Sequence, residues 1–210
     1  MKPDESLISE IRSKYDLKEG PIILSLGHLH EIRNRKELIE AMPEVLKRFP
    51  TAKLLIVGDV GTDTAEKLAS KLRVRESVIF TGAVPHSQVL AYFEIADIEA
   101  HWFEQSNPQN KTLGIATLEA MGAGKAVVGT ADEDVYGKDV LRNGENVIIV
   151  DLKFPAAIAQ TIIEILADAD KRQRIGKQAC QTIIDHFSWD SICDRTLKVY
   201  EETIRNNRRL

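Results

Sequence analysis

The chain has 210 residues, 43% of them hydrophobic, with 28 basic and 32 acidic side chains and a net charge of -4. That apolar content supports a real core and excludes disorder, and the mixed charge excludes the basic footprint of a nucleic-acid binder, so no nucleic-acid partner is expected. No apolar run approaches the roughly 20 residues needed to cross a bilayer, and the polar start MKPDESLISEIRSKYD reads as no signal peptide.

In chain order, the first twenty residues read as a frayed lead-in (1–20), followed by one domain over 21–210. PIILSLG (21–27) is an apolar run ending in glycine, a strand. Leu38, Met42, Val45 and Phe49 follow helical spacing, and Pro50 closes that helix. AKLLIVG (52–58) is a second strand, and Ala65, Leu68 and Leu72 mark a second helix. SVIFTG (77–82) is a third strand, with a helix beginning near Pro85. DIEAHW (97–102) is a short fourth strand. TLGIATLEAMGAGKAVVG then supplies a helix, a Gly-rich break and a fifth strand. ENVIIVD (145–151) is the sixth. Ile158, Ile162, Ile165 and Leu166 mark one more helix, Ile175, Ala179 and Ile183 another, and Cys193, Leu197, Tyr200 and Ile204 the last.

Strands that read as unbroken apolar runs, alternating with helices, predict a single doubly wound Rossmann-like α/β domain with a parallel sheet of about six strands. In such a sheet ligands bind beyond the carboxyl ends of the strands. The loops there are GHLHEIRNRK, GDVGTDT, TGAVPHS and FEQSNPQNKTLG. Arg33, Arg35 and Lys36 follow the first strand, and Lys111 precedes the helix that starts near Gly114. Cations facing a helix N-terminus suit a diphosphate. Arg33 and Lys111 are the preferred ligands, while Arg35 and Lys36 read as a solvated helix face. Glu119 is the odd member of its helix, a carboxylate among apolar neighbours. Cys180 and Cys193 have no metal or CxxC spacing and fit idle thiols in a reducing cytoplasm. His30, His86, His101 and His186 lack partners at metal spacing and read as surface or packing histidines, and Trp102 and Trp189 as core or interface aromatics.

The segments ILSLGHL, LLIVGD, VIFTGAVP, LGIATLEAMGAGKAVVGT and FSWDSICDRTLKVYEE, in that order, resemble the glycosyltransferases of family 4. The resemblance covers about residues 20 to 205 and matches only the C-terminal, donor-binding half of their two-domain GT-B fold. It implies a retaining transferase that moves a sugar from a nucleotide-diphosphate sugar to an acceptor hydroxyl, with no metal and no other cofactor. Glu119 matches the second glutamate of the family motif, which accepts the ribose hydroxyls; a carboxylate takes two such donors at once. Gly114 matches the motif glycine that lets the diphosphate approach, followed by the amides of Ile115 and Ala116. Ala83 and Val84 match the stretch facing the nucleobase, and Gly27 ends the first strand beneath the donor. By the same resemblance Arg33, Lys111 and Glu119 would carry catalysis.

The sequence also departs from the pattern. Lys111 stands where relatives carry the first glutamate, and Glu104 is a candidate substitute on the same loop. His28 and Arg33 stand where relatives carry an Arg and a Lys. A non-catalytic nucleotide-binding or scaffold domain of the same fold therefore stays open. The resemblance implies an N-terminal acceptor-binding domain not contained in this chain, and leaves open peripheral membrane association through it and self-association of this half. Asp59 fits a turn residue as well as a ligand. A receiver domain needs an acidic pair after strand one, which LSLGHLH lacks, and no G-x-G-x-x-G marks a dinucleotide oxidoreductase.

Overall fold

The structure, a computed structural model, describes residues 4–17, 19–27, 35–58, 63–100, 113–132, 136–150 and 155–207. The apolar runs form the strands β1 (Ile22–Leu26), β2 (Lys53–Val57), β3 (Val78–Gly82), β4 (Ile98–Ala100), β5 (Ala126–Gly129) and β6 (Ile148–Ile149). They make one parallel sheet in the order β3-β2-β1-β4-β5-β6. The order reverses between β1 and β4, which is where such sheets open a crevice for ligands.

Both faces of the sheet are covered, so the strands alternate between two apolar layers. Ile23, Leu54, Ile56, Ile98 and Val128 join one core with α2 (Lys36–Arg48), α3 (Asp63–Lys71) and α6 (Pro155–Ala167). Leu24, Leu26, Leu55, Val57 and Val127 join the other with α4 (Val89–Ile95), α5 (Ile115–Gly122) and α7 (Ala169–Phe187). A short 3-10 turn, His86–Gln88, leads into α4. At the amino ends of the strands, Asp97 accepts from the Ile22 amide at 2.8 Å and faces Arg172 Nη2 at 3.5 Å.

The frayed lead-in expected at the start is a helix instead. Residues Glu5–Lys14 form α1, with Asp4 accepting from the Ser6 and Leu7 amides at 2.9 and 3.4 Å. Ile11 and Leu17 are buried against the second core. An N-cap plus one apolar stripe is enough to order a short polar helix on an existing surface. The expected sixth strand shrinks because its first residues make a turn. The Asn146 side chain accepts from the Arg142 amide and donates to Val140 O and Thr182 Oγ1, at 2.7, 2.8 and 2.8 Å. Trp189, expected in the core or an interface, opens α8 (Trp189–Asn207) and is 81% exposed. Leu197, Val199, Tyr200 and Ile204 of α8 are also exposed. Among the described residues, no helix is long and apolar enough to cross a membrane.

α7 presses on the turn between α5 and β5 at Gly176, where an added Cβ would lie 2.0 Å from the Gly124 carbonyl oxygen. Gly176→Ala should therefore cost about 1–3 kcal/mol, the range for overpacking. Gly122→Ala, whose Cβ would meet only Ile183 Cγ2 at 3.5 Å, should be neutral or stabilising by up to about 1 kcal/mol, as helix propensity gives. Urea unfolding of the two variants should show this opposite behaviour.

Candidate functional site

A cleft of about 230 Å³ opens at the carboxyl ends of β1, β2 and β3. Leu26 and Gly27 line it from β1, Val57 and Gly58 from β2, and Ala83, Val84, His86 and Val89 from the loop after β3 and the start of α4. Glu119 closes it from α5. Four residues expected from the sequence, Gly27, Ala83, Val84 and Glu119, thus meet at one site. Gly58, His86 and the polar residues beneath the floor were not singled out as ligands.

The floor is built by close backbone approach. The Gly27 amide donates to Val57 O at 3.0 Å, and the Gly58 amide to Gly82 O at 2.9 Å. Gly58 has φ +125°, and a Cβ there would lie 2.2 Å from Gly27 O. No side chain fits, so the strand ends stay bare and backbone lines the floor.

Beneath these glycines the solvated role expected of Arg35 is overturned. Arg35 is fully buried. Its Nη2 donates to Gly27 O at 2.7 Å and, more weakly, to Val57 O at 3.4 Å. Two backbone carbonyls draw the guanidinium inward, both accepting from the same terminal nitrogen, Nη2. Burial pushes its pKa down to about 10, partly offset by Glu99, so the group stays charged near neutral pH. Lys36 does lie on a solvated face, where it pairs with Glu40 at 3.8 Å.

Glu99 of β4 is fully buried between the sheet and α5. Burial holds its carboxyl well above the ordinary value, while Thr117, Arg35 and the Leu26 amide pull the other way. Arg35 and Glu99 are the charged side chains, among the described residues, that the fold buries fully.

Glu119 sits one turn into α5. The helix starts at Gly114, an extended N-cap residue without a side-chain cap. Tyr136 Oη donates to Leu113 O at 2.8 Å and packs edge-on against Phe187, which anchors the segment entering the helix. Thr117, Ala120 and Met121 are buried, which leaves the Glu119 carboxylate partly open to the cleft. His86 Nε2 lies 3.1 Å from Glu119 Oε1. His86 was expected as a surface histidine; it is exposed, and it also lines the cleft. Its place two residues after Val84 in a strand-exit loop was the available signal. Gly114, Ile115 and Ala116 form the open end of α5 but do not line this cleft. Ile115 is exposed. His28, Arg33 and Lys111 lie outside the described residues, as do Asp59 and Glu104. No group of three or more His, Cys, Asp or Glu able to hold a metal occurs among the described residues.

The family model described as glycosyl transferases group 1 matches residues 8–182. The chain is 32% identical over 193 residues to phosphatidyl-myo-inositol mannosyltransferase of Mycobacterium tuberculosis, covering 88% of this chain and 48% of that protein. It is 27% identical over 194 residues to the GDP-mannose-dependent alpha-(1-6)-phosphatidylinositol monomannoside mannosyltransferase of the same species, covering 91% and 50%. The chain therefore spans about half the length of the curated relatives it matches. Among solved structures, it superposes on the C-terminal domain of a Francisella tularensis glycosyl transferase group 1 protein, LpcC. There the TM-score is 0.69 and the identity 20%, over 89% of this chain and 95% of that one. It also superposes on Anabaena HepE in complex with UDP-glucose, with TM-score 0.75 and 18% identity, over 95% and 53%. These likenesses show the fold.

The buried carboxyl predicts a pH dependence. Glu99 takes up its proton more readily folded than unfolded, so stability is fully present below its ordinary pKa of 4.5 and falls as pH rises through the raised folded value. Glu99→Gln removes that penalty. Urea denaturation should find Glu99→Gln more stable than the parent at neutral pH, with the gap closing as pH falls towards 4.5.

Proposed function

The chain belongs to the glycosyl transferases group 1 family, and from that membership we propose that it is the donor-binding half of a retaining glycosyltransferase, holding a nucleotide-diphosphate sugar. The observation that carries this reading is the convergence of Gly27, Ala83, Val84 and Glu119 on one cleft at the carboxyl ends of the strands. These are the positions that the family motifs assign to donor binding, and they come from two strand exits and a helix.

In this reading Ala83 and Val84 offer their backbone and apolar surface to the nucleobase. Glu119 accepts the ribose hydroxyls, with charge-assisted strength. His86, already against one carboxylate oxygen, holds the Glu119 side chain in the cleft. The bare floor at Gly27 and the uncapped amides of Ile115 and Ala116 after Gly114 receive the diphosphate. Arg33, Lys111 and His28 add cationic or hydrogen-bonding groups from the neighbouring loops. Departure of the nucleotide diphosphate is then helped by fixed donors and cations aimed at the charge that develops, and no metal is called for. The relatives named for GDP-mannose and the structure with UDP-glucose support a nucleoside diphosphate hexose as the donor class.

Lys111, in the place of a motif glutamate, favours a second reading, a nucleotide-binding domain without turnover. The two readings part in a full-length protein. Lys111→Glu raising transfer there would mark a degenerate site, and donor binding without transfer by the parent would favour the scaffold.

Two outcomes test the proposal. Calorimetry with UDP and GDP should show Glu119→Ala weakening the bound nucleotide by roughly 1.5–3 kcal/mol, the range for hydrogen bonds to a charged group; equal affinity with the fold intact would remove Glu119 from the site. The 210-residue chain should bind nucleotide sugars and transfer none, because a facing half is needed to orient the acceptor hydroxyl and positioning accounts for about 7–11 kcal/mol of a barrier. Acceptor-dependent release of nucleotide diphosphate, abolished by Glu119→Ala, would overturn that.

A further inference from the structure

Directly under the cleft floor lies a charge that the donor-site residues leave unused. Arg35 has no exposed surface, yet it is one atomic layer from the ligand space: a Cβ placed on Gly58 would lie 3.6 Å from its Nη2. The two carbonyls it binds belong to Gly27 and Val57, and both residues line the cleft. Among the described residues, its Nε and Nη1 have no hydrogen-bond acceptor, so the fork is only partly used for tying down backbone.

A buried guanidinium is costly unless its charge is compensated. Glu99 is the nearby carboxyl, and its charge offsets only part of the desolvation of Arg35. The positive charge beneath Gly27 and Gly58 is therefore only partly compensated, and low-dielectric surroundings extend its field into the cleft.

We propose that Arg35 is a positioning residue of the donor site: its guanidinium holds the ends of β1 and β2 together through the Gly27 and Val57 carbonyls and sets a fixed positive charge beneath the diphosphate of the ligand. The inference rests on the donor-binding reading above. It differs from the roles given to Arg33 and Lys111, because Arg35 never touches the ligand. Its charge is held in place before binding, so no side chain has to be ordered when the anion arrives. Lysine could supply the charge, but its ammonium sits on a flexible stem of different reach and is not held against the two carbonyls as the planar guanidinium is.

The test is a charge ladder. Uridine, UMP and UDP, and guanosine, GMP and GDP, are titrated by calorimetry into the parent chain, Arg35→Met and Arg35→Lys. The parent should bind each diphosphate more tightly than its nucleoside. Arg35→Met should lose on the order of tenfold more affinity for the diphosphate than for the nucleoside, as expected for one charge removed at short range in a protein-like medium. Arg35→Lys should recover most of that charge-dependent part while weakening all ligands alike. A structural role only would show as equal losses for UDP and uridine in Arg35→Met, and that result overturns the proposal. The parent chain gives a second measurement, needed if Arg35→Met does not fold. Its Arg35 guanidinium 15N resonances should move on adding UDP and stay put on adding uridine; no movement with either overturns the proposal. A parent with no preference for diphosphate over nucleoside overturns the donor-binding reading itself, whereas a preference kept intact in Arg35→Met overturns only the role of Arg35.

Discussion

The ends of β1 and β2 meet over the buried guanidinium of Arg35, and the cleft depends on that meeting. Gly27 and Gly58 come close enough that a side-chain carbon on Gly58 would strike the Gly27 carbonyl. The amides continue the ladder past the strands, Gly27 to Val57 and Gly58 to Gly82, so three strand ends are knitted into one floor. Any larger residue at Gly58 would force β1 and β2 apart. Carbonyls at the end of a strand also need donors. Arg35 supplies them from below, which leaves the upper side of the floor free.

This arrangement places opposing demands on the interior. Desolvating a guanidinium and a carboxyl near one another is expensive, and their attraction repays the cost only with good geometry. The fold lowers the cost by setting Glu99 near Arg35, where its charge offsets part of the desolvation, and by giving Arg35 two backbone acceptors. The pair lies beside the point where the strand order turns back, with Arg35 entering α2 and Glu99 in β4 next to β1. Polar residues beneath a crevice are stable here because the carbonyls and amides at the strand ends offer partners that the middle of the sheet does not.

The α5 helix meets a related constraint from the other side. It must pack tightly and still present one carboxylate. Thr117, Ala120 and Met121 take the buried positions, Tyr136 fixes the entry at Leu113, and Gly176 lets α7 close on the turn that leaves the helix. Glu119 is left on the remaining stripe, against His86. A carboxylate in a helix of apolar neighbours is then explained by geometry, since its neighbours face two different walls.

Much of this was legible in the order of residues. Apolar runs such as IIL and LLIV become buried parallel strands because both faces of a doubly wound sheet are dry, and the helical spacings of Leu38, Met42 and Val45 or Ile158, Ile162 and Ile165 survive as core contacts. The motif around Gly114 and Glu119 carried the family, and with it the expectation that Gly27, Ala83, Val84 and Glu119 would share a site. Other features depend on distances between segments that local pattern does not encode. α1 is polar in composition, and it is ordered by Asp4 and by an apolar surface made elsewhere in the chain. Arg35 looks like any cation at the start of a helix until the ends of β1 and β2 are brought together, and Glu99 like one polar residue in a short strand until α5 covers it. His86 becomes part of the site only because the loop after β3 is folded against α5. Local periodicity specifies which face of an element is apolar. Which charge ends beneath a cleft, and which histidine meets which carboxylate, is decided by how the elements pack, because both contacts join residues far apart in the chain.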